Sequence, residues 1–510
     1  NAYRWVLRLT IRFRIVSIAI VLVMFAASLY GFGFVKQSFF PESTRQQFMV
    51  DLWMPEGTAI EQTAARAREV EAYLRTLDGV GHVTSLVGAG APRFLLTYTP
   101  EKTNSAYAQF LVDVDDYRLV GRLIPKVEAA LAANWPDAST YGKRFVLGPG
   151  DGGKIQARFS GPDRDVLRHL EAQTMAILRR DQAIKGVRSD WRGRVAFLQP
   201  VMAEFEANRA GIERPDVASA VKAGFEGEAI ALYREQDELL PIIVRAKRAD
   251  RDDVQSINNL LIFSPAANEY IPIRQIVSSF DTDLRDSIIK RLNRLPTLTV
   301  HADIAYGVAN DALARVRPAV EALELPPGYT LQWWGEYKNS ADGQGGIIAS
   351  LPFFLLGMVL IVIALFNALR QPLVIWSIVP LSLIGVSAGL LLTGQPFGFM
   401  ALLGFLSLSG MLIKNAIVLL DEIELQRKSK PLYTAIVESG VSRLRPVFMA
   451  ALTTVFGMIP LLGDAFFVAM AVTIIFGLLF ATILTMIVAP VLYAMFFGAD
   501  RHPPAPATTA

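Results

Sequence analysis

Long apolar runs lie at both ends of the chain, and a central block of mixed apolar and polar residues separates them. Six runs are long enough to be transmembrane helices, because a helix needs about 20 apolar residues to cross a bilayer. These runs are residues 14–34, 346–367, 372–393, 399–420, 446–463 and 466–497. The first run lacks an Ala-x-Ala cleavage site, so we interpret it as a membrane span and not as a signal peptide.

Lysine and arginine in the short loops predict the orientation of these spans. Basic residues precede the first span and lie between the second and third, between the fourth and fifth, and after the sixth. The connections 394–398 and 463–465 carry no lysine or arginine. Every basic loop therefore falls on one side if both termini are cytoplasmic, and the central block then lies on the opposite side.

The central block has two copies of one α+β pattern. The first copy predicts strand 46–53, helix 58–77, strand 81–88, an interrupted strand 93–114, helix 116–134 (weakened by Pro125) and strand 139–146. The second predicts strand 153–160, helix 163–180, strand 186–191, strand 297–303, helix 308–323 and strand 328–334. An insertion at 194–290, with a helix near 214–225, separates its halves. The pattern favours two split βαβ units, and a different α+β external domain is the alternative.

The composition of the chain argues against several classes of function. Only 19% of the residues are charged, below the roughly 25% of soluble domains. The net charge of +3 and the lack of a basic, aromatic-rich stripe argue against nucleic-acid binding. The chain has no cysteine and four scattered histidines, which gives no disulfide and no recognisable metal motif. We find no nucleophile–base pair or phosphate loop, so the sequence predicts no enzyme.

One charged residue interrupts the fourth apolar run. Lys414 lies about two-thirds of the way along 399–420. A charge near the centre of a membrane helix costs roughly 2.5–3.5 kcal/mol on insertion scales, and such residues are functional by default. Either another group therefore compensates the cost of the Lys414 charge, or the protein uses that charge.

Four segments carry a resemblance to a known family. They are FFPESTRQQFMVDLWMPEGTAIEQT (39–63), LPPGYTLQWWGEYKNS (325–340), SLSGMLIKNAIVLLDEIE (407–424) and SRLRPVFMAALTTVFGMIPLL (442–462). With one span, a double α+β block and five further spans, the chain resembles the C-terminal half of a resistance-nodulation-division (RND) transporter of the hydrophobe and amphiphile efflux type. The similarity extends from about residue 10 to 497.

The resemblance implies a domain plan: a six-helix membrane bundle with α+β porter subdomains and an inserted docking subdomain. The expected parts are the first membrane helix with a cytoplasmic N-terminus (1–35), porter subdomain 1 (36–145), porter subdomain 2 (146–193 and 291–335), the docking subdomain (194–290), five membrane helices (336–498) and a disordered tail (499–510). Residues 36–345 are expected in the periplasm, and the bundle in the inner membrane of a Gram-negative bacterium.

The resemblance also gives Lys414 a partner. In the family, a pair of intramembrane aspartates on the N-terminal half faces this lysine, and this chain has no such pair inside any span. The resemblance thus implies that Lys414 is a protonation-dependent switch, and the alternative is one half of a static salt bridge that stabilises the bundle. The expected proton relay is Lys414, Asn415, Asp421, Arg443 and Thr454, and the expected packing residues are Gly404, Ser407 and Gly410. Well-known members have a threonine where this chain has Ala450, so Thr454, a water molecule or a different coupling must serve instead.

Simpler interpretations of three relay residues stay open. Asn415 is equally a helix–helix hydrogen-bonding residue, and Asp421 is more simply an interfacial charge. Arg443 is nearly as well explained as an ordinary cytoplasmic arginine.

For the substrate, the resemblance points to the segment 86–114. Its aromatic residues Phe94, Tyr98, Tyr107 and Phe110 suit hydrophobic or amphiphilic ligands, because aromatic walls bury large areas without demanding fixed hydrogen bonds. Arg93 could favour anionic amphiphiles. The alternative for each aromatic is a place in the subdomain core.

The resemblance therefore implies one half of a proton-driven efflux pump for hydrophobic small molecules that uses the proton gradient and no cofactor. Expected partners are the N-terminal half (fused or separate), further copies in a homotrimer, a periplasmic adaptor and an outer-membrane channel. The alternatives are a half-subunit that assembles with or regulates a partner transporter, and an RND exporter of lipids.

Overall fold

The computed structural model describes residues 2–148, 153–247 and 254–499. Apart from Ala499, the predicted disordered tail lies outside the described residues. The chain divides into two compact units, one formed by Asn1–Trp191 with Ile288–Ala510 and the other by Arg192–Ser287. The division of the chain into porter and docking subdomains stays a prediction.

The described helices are α1 (Ala2–Arg12), α2 (Arg14–Phe32), α3 (Ile60–Leu74), α4 (Val120–Asn134), α5 (Arg164–Arg179), α6 (Glu204–Ala210), α7 (Arg214–Phe225), α8 (Ala309–Glu321), α9 (Glu336–Phe366), α10 (Arg370–Ile378), α11 (Ser382–Thr393), α12 (Phe399–Arg427), α13 (Leu432–Met458) and α14 (Val468–Phe496). The described strands are β1 (Gln47–Trp53), β2 (Val80–Val87), β3 (Tyr107–Val114), β4 (Ser139–Arg144), β5 (Ile155–Ser160), β6 (Ile184–Ser189), β7 (Arg194–Met202), β8 (Glu228–Glu235), β9 (Glu238–Val244), β10 (Leu261–Ser264), β11 (Glu269–Pro272), β12 (Val277–Asp286), β13 (Arg291–Leu292), β14 (Leu295–Ile304) and β15 (Thr330–Gly335).

The first unit contains two antiparallel sheets with the same order of main strands. The first sheet has the order β2-β3-β1-β4, and helices α3 and α4 follow β1 and β3 in the chain. The second has the order β6-β14-β5-β15, with the short β13 also paired to β14, and α5 and α8 follow β5 and β14. Each sheet has its own apolar core, centred on residues such as Phe48 and Val127 in the first and Phe159 and Val316 in the second. This is the strand order of a split βαβ unit.

The predicted strand 93–114 is wrong over its first part. Only Tyr107–Val114 is a strand, and the residues before it form turns and irregular structure. The segment contains the polar run 100–105, which offers no alternating apolar face to bury. Pro125, which weakened the prediction of the second helix, lies in the second turn of α4 and does not end it.

The second unit, Arg192–Ser287, contains three separate two-stranded antiparallel pairs: β7 with β12, β8 with β9, and β10 with β11. Helix α7 has the predicted bounds, 214–225, and its first turn explains why it begins there. Glu213 and Asp216 form a capping box, and a proline stands in the first turn. A small apolar core that includes Ile212, Val217 and Ile273 holds this unit together.

Six helical segments among the described residues are long and apolar enough to cross a membrane: Arg14–Phe32, Glu336–Phe366, Arg370–Thr393, Phe399–Arg427, Leu432–Gly463 and Val468–Phe496. A 3-10 turn at Val379–Leu381, which contains Pro380, separates α10 from α11 within the third. The fourth and fifth extend well beyond the apolar runs 399–420 and 446–463. Their added turns are polar and helical, so hydropathy alone misses them.

The hydropathy pattern predicts no helix before the first span, but the structure has one. Helix α1 buries Leu7 and Ile11 almost completely, and the Tyr3 hydroxyl donates to the Met486 carbonyl of α14 at 2.7 Å. Gly440 of α13 allows this contact, since a Cβ there would lie 2.9 Å from both Leu7 and Tyr3. Helix α1 is therefore packed against the membrane helices and is not a free extension.

The chain passes from the second sheet into the membrane helices without a loop. Strand β15 ends at Gly335 and α9 begins at Glu336. Gly335 has φ 81°, and a Cβ there would collide with the Lys154 carbonyl oxygen, so glycine is required. The Glu336 carboxylate accepts a hydrogen bond from the Phe39 backbone N–H at 2.8 Å. These contacts join the end of the second sheet, the start of α9 and the segment before the first sheet.

Candidate functional site

A cavity of about 340 Å³ lies between the two sheets of the first unit. Its wall combines aromatic and other apolar side chains with charged groups. The apolar part includes Phe39, Phe40, Met49, Tyr98, Ile124 and Phe145, and the charged part includes Glu42, Lys143, Arg144, Lys154, Lys185, Asp303 and Glu336. A wall of this kind fits an organic molecule with both an apolar body and polar groups.

Beneath one side of the cavity, the buried carboxylate of Asp51 organises a polar network. Asp51 is 1% exposed, and the Lys143 ammonium lies 2.5 Å from its Oδ2. The Tyr107 hydroxyl donates to Oδ1 at 2.7 Å, and the Gln109 amide donates to the same oxygen at 3.0 Å. Gln109 in turn accepts from the Tyr98 hydroxyl at 2.9 Å. Tyr98 on the cavity wall is thus linked through Gln109 to Asp51.

Burial and charge pairing have opposite effects on the pKa values of Asp51 and Lys143. Burial would raise the pKa of Asp51, but Lys143, Tyr107 and Gln109 outweigh it and hold that pKa below its ordinary value. Burial would lower the pKa of Lys143, but the Asp51 carboxylate raises it above its ordinary value. Both groups are therefore charged at neutral pH.

Three charged contacts join the two sheets around the cavity. Lys185 of β6 contacts both carboxylate oxygens of Glu128 of α4 at 2.8 Å. Lys154 lies 3.4 Å from Glu42. These two contacts are partly exposed, so each contributes little to stability by itself.

The third contact is the guanidinium of Arg188, whose carbon lies 4.2 Å from the ring centre of Tyr141 in the first sheet. Arg188 is held by Asp303 at 2.9 Å. The pKa of Asp303 is below its ordinary value, because Arg188 and the Lys154 backbone N–H outweigh the opposing effect of burial. The interface between the sheets is thus polar, and each sheet keeps its own apolar core.

The structure separates the five residues predicted to bind substrate. Tyr98 lines the cavity. Phe94 is 40% exposed and packs on Tyr98, with ring centres 5.2 Å apart, while exposed Arg93 donates to the Leu96 carbonyl. Tyr107 is buried against Asp51, and Phe110 is fully buried in the core of the first sheet. In this structure the alternative that they belong to the core therefore holds for Tyr107 and Phe110.

Lys414 lies on an exposed stripe of α12. Ser407, Gly410, Lys414 and Asp421 are all exposed, and the helical repeat places them on one face. None of the described residues gives the Lys414 ammonium a hydrogen bond or an ion pair. On α13, the apolar residues 449 and 456 are also largely exposed. Lys414 therefore stands on an exposed face of α12 near exposed apolar side chains of α13, and none of the described residues pairs with its charge.

The other predicted relay residues have partners or positions of their own. Arg443 donates to the Glu422 carboxylate at 2.6 Å, a pair that the sequence reasoning missed. The Thr454 hydroxyl donates to the Ala450 carbonyl one turn before it, at 3.0 Å. Asn415 is buried beside Lys414. The structure brings neither Arg443 nor Thr454 into contact with Lys414.

The predicted packing residues of α12 divide into two kinds. Gly404 is buried against α14, where a Cβ would lie 3.0 Å from the Met470 carbonyl oxygen. A Cβ added at Gly410 would have no described atom within 4 Å, and Ser407 is exposed. Gly404 therefore serves packing within this chain, while Gly410 and Ser407 leave room beside Lys414.

The sequence reasoning also missed the network around Asp51. Its signal was an aspartate in the middle of the apolar strand QFMVDLW, where an acidic residue is buried only if it is paired. The lysine that pairs with it comes from β4, which is adjacent to β1 but distant in the chain. The described residues bring no three His, Cys, Asp or Glu side chains together as a potential metal site.

Comparison with known proteins gives one family. The profile of the AcrB/AcrD/AcrF family matches residues 1–497. The cobalt-zinc-cadmium resistance protein CzcA of Cupriavidus metallidurans is 25% identical over 358 residues, which cover 68% of this chain and 34% of that protein. The nickel-cobalt-cadmium resistance protein NccA of Alcaligenes xylosoxydans xylosoxydans is 25% identical over 501 residues, covering 93% and 46%.

A third relative has a different kind of name. The swarming motility protein SwrC of Bacillus subtilis is 21% identical over 509 residues, covering 97% of this chain and 47% of that protein. Among solved structures, a heavy metal efflux pump superposes with a TM-score of 0.83 at 21% identity, covering 97% of this chain and 51% of the other. The chain spans less than half of the length of each of these three relatives.

Proposed function

The chain belongs to the AcrB/AcrD/AcrF family of RND efflux transporters, and from this premise we propose that it carries one half of a proton-driven efflux pump. The observation that supports the proposal is Lys414, a cation within an apolar run of α12 that is exposed and has no partner among the described residues. A second half that supplies carboxylates would cover this face and neutralise the charge. The pump then needs no cofactor beyond the proton gradient.

The coupling we propose follows from electrostatics at that face. An ammonium between carboxylates in a low-dielectric medium keeps them ionised. A proton that reaches one carboxylate weakens the pair and allows two packings of the helices, selected by protonation. Ser407 and Gly410 leave space for the Lys414 side chain to move between these packings.

For the substrate, we propose an organic amphiphile that binds in the cavity between the two sheets. Tyr98, Phe39 and Phe145 supply an apolar surface, while Lys154 and Glu336 supply polar contacts. Helix α9 begins in the cavity wall and continues into the membrane helices, which gives a direct path from substrate to bundle. This proposal agrees with the hydrophobic or amphiphilic substrate that the family resemblance implies.

Metal-ion efflux is the second candidate, because CzcA and NccA are named as resistance proteins for cobalt, cadmium, zinc and nickel. Met49 contributes a thioether to the cavity wall, and thioethers bind soft metal ions. A metal site here would need further ligands, because the described residues hold no cluster of His, Cys, Asp or Glu suited to a metal ion.

We further propose that the helices span the inner membrane with both termini in the cytoplasm and residues 36–345 in the periplasm. The supporting observation is the basic end of the bundle, where Arg14, Arg370 and Arg427 surround residues 497–499. A homotrimer, a periplasmic adaptor and an outer-membrane channel complete the proposed assembly. A half-subunit that regulates a partner transporter is the alternative, and it predicts no transport by the purified assembly.

The test is transport by the intact native protein in inverted membrane vesicles. Its mass, measured first, distinguishes a fused second half (near twice 56.1 kDa) from a separate partner chain. Uptake is then measured with and without a proton gradient for anionic, cationic and neutral amphiphiles and for Co²⁺, Zn²⁺ and Cd²⁺. Gradient-dependent transport of an amphiphile supports the proposal, and transport of the metal ions alone supports the second candidate. Transport of neither overturns both.

A further inference from the structure

Helix α1 and the residue after it show three different faces around the helix axis. The first face, with Tyr3, Leu7 and Ile11, packs against the membrane helices. The helical repeat places three exposed arginines, Arg4, Arg8 and Arg12, together on a second face. A third face, away from the packed one, carries Trp5, Leu9 and Phe13, which are 66%, 41% and 51% exposed.

The arginine face is not satisfied by the protein. None of the described residues gives Arg4, Arg8 or Arg12 an acidic partner, and the helix itself contains no acidic residue. Arg14, just after α1, donates to the Ala499 carbonyl at 3.4 Å, which fixes this end of the helix near the end of α14. Three guanidinium groups therefore stand in a row on a helix whose position is set by its packing.

The exposed aromatic face of α1 indicates the environment in which the three arginines lie. A helix with arginines beside a stripe of tryptophan, leucine and phenylalanine lies in the interface of a bilayer, with the apolar stripe at the level of the acyl chains. Tryptophan is enriched at that depth. Helix α1 directly precedes the first membrane helix, so its exposed aromatic residues are held at a membrane surface and not in free solution.

We propose that α1 is a binding surface for anionic phospholipids, with Arg4, Arg8 and Arg12 contacting the headgroup phosphates and the exposed apolar face inserted beside the acyl chains. The choice of an anionic lipid rests on charge complementarity, since three arginines without acidic partners favour a negatively charged leaflet. The leaflet is the cytoplasmic one if the proposed topology holds. Lipid binding itself goes beyond the efflux function and does not depend on it.

The packed face of α1 connects the proposed lipid-binding surface to the helices of the bundle. Tyr3 and Leu7 contact α13 at Gly440, and Tyr3 also bonds to α14. Helix α13 carries Arg443, and α14 packs along α12, which carries Lys414. Anionic lipid bound on α1 therefore holds two helices of the bundle at their basic end.

Quenching of Trp5 fluorescence by brominated lipids tests the proposal directly. The intact protein is reconstituted with increasing fractions of brominated phosphatidylglycerol or brominated phosphatidylcholine in an unbrominated phosphatidylcholine background. The Trp5 signal is the difference between wild type and Trp5→Phe. We expect the phosphatidylglycerol to quench this signal with an apparent affinity about fivefold or more above that of phosphatidylcholine. Equal quenching by the two lipids would overturn the proposal.

Three charge variants separate headgroup binding from simple insertion. R4Q/R8Q/R12Q should lose the preference for phosphatidylglycerol while phosphatidylcholine still quenches Trp5, which also shows that α1 remains folded at the membrane. R4K/R8K/R12K should keep the preference. R68Q/R122Q/R179Q removes three exposed arginines from the two-sheet region and should change nothing. A retained preference in the first variant would also overturn the proposal.

Discussion

Lys143 and Lys414 are two lysines in one chain that meet opposite conditions. Lys143 lies in the two-sheet region, 2.5 Å from a carboxylate that is itself bonded by Tyr107 and Gln109. Lys414 lies among the membrane helices, on an exposed face, with no partner among the described residues. The charge of Lys143 is thus paired with a carboxylate of this chain, whereas the charge of Lys414 is not paired with any described residue.

The difference shows where this chain is complete and where it needs another surface. A charge in water needs no partner, but a charge on a membrane helix that faces lipid is costly. Asp51 and Lys143 therefore satisfy each other within the two-sheet region, whereas the proposed function requires carboxylates from another surface to pair with Lys414. We therefore expect replacement of Asp51 to affect stability and replacement of Lys414 to affect transport.

Replacement of Lys414 should have the largest effect. In the intact protein, Lys414→Ala is expected to abolish gradient-dependent efflux, because the proposed switch loses the positive charge that would face the carboxylates. Expression and assembly should remain, since the described chain makes no hydrogen bond or ion pair with this side chain. Lys428→Ala, at the end of the same helix, is the matched control and should transport normally. Wild-type efflux in Lys414→Ala would contradict the switch.

Loss of the carboxylate at Asp51 should act on stability instead. Asp51→Asn leaves the Lys143 ammonium without its counter-charge, which is expected to cost about 3 kcal/mol, or roughly a hundredfold faster local hydrogen exchange in β1 and β3. Hydrogen exchange with mass spectrometry measures this.

Two controls show whether the unpaired charge is the cause. Asp137→Asn breaks an exposed pair with Arg66 and should cost no more than about 1 kcal/mol. Adding Lys143→Met to Asp51→Asn should restore part of the lost protection. If Asp51→Asn exchanges like wild type, the network does not stabilise the sheet.

The pH dependence of the Asp51 pair has a definite sign. Because the pKa of Asp51 is lowered from its ordinary 3.8, its contribution is present above that value and is lost as the pH falls through the lower folded pKa. The pKa of Lys143 is raised from 10.5, so its contribution is present below that value and is lost as the pH rises through the higher folded pKa. The protection difference between wild type and Asp51→Asn should therefore be constant from about pH 5 to 8, the interval in which transport is assayed. A change within that interval would make this network a candidate for proton coupling.

Phe94 and Phe110 give a smaller test of the cavity. Phe94→Ala removes an exposed ring that packs on Tyr98 and is expected to change the relative transport of amphiphiles about fivefold, near 1 kcal/mol, without altering gradient dependence. Phe110→Ala opens a void in the core of the first sheet and should lower stability by about 3–5 kcal/mol instead. A substrate panel and thermal unfolding separate the two. An unchanged panel for Phe94→Ala would remove this ring from the substrate path.

The smallest effect is expected at Thr454. Its hydroxyl is bonded to the Ala450 carbonyl of its own helix, so Thr454→Val should reduce proton-coupled efflux no more than about twofold, the size of one modest hydrogen bond. Thr453→Val, one residue earlier, is the control, since its hydroxyl makes the same kind of bond. A loss as large as that of Lys414→Ala would place Thr454 in the relay.

The periodic parts of the fold could be predicted from the sequence. The helix predicted near 214–225 is observed at these bounds, and the structure shows that a capping box and a proline mark its start. The strands and helices of both sheets follow from alternating and helical apolar patterns. The extended bounds of α12 and α13 and the existence of α1 were not predicted, since their polar turns carry no hydropathy signal.

The candidate site was harder to predict, because it depends on contacts between distant residues. Lys414 was found because a charge in an apolar run is conspicuous by itself. Lys143 was missed because its significance depends on Asp51, which becomes its neighbour only when β4 pairs with β1. Phe110 and Phe94 have the same chemical character in sequence, and only the side of the strand or loop that each occupies distinguishes core from surface.

Two glycines in the cavity wall, Gly153 and Gly335, limit which substitutions the wall can accept. Any side chain at Gly335 would collide with the Lys154 carbonyl oxygen, and a Cβ at Gly153 would lie 2.5 Å from the carbonyl oxygen of Ala302. Other wall positions, such as Ile124 and Phe145, already carry side chains. Laboratory evolution toward a new substrate should therefore accumulate substitutions at wall positions that already carry a side chain, while Gly153 and Gly335 stay unchanged.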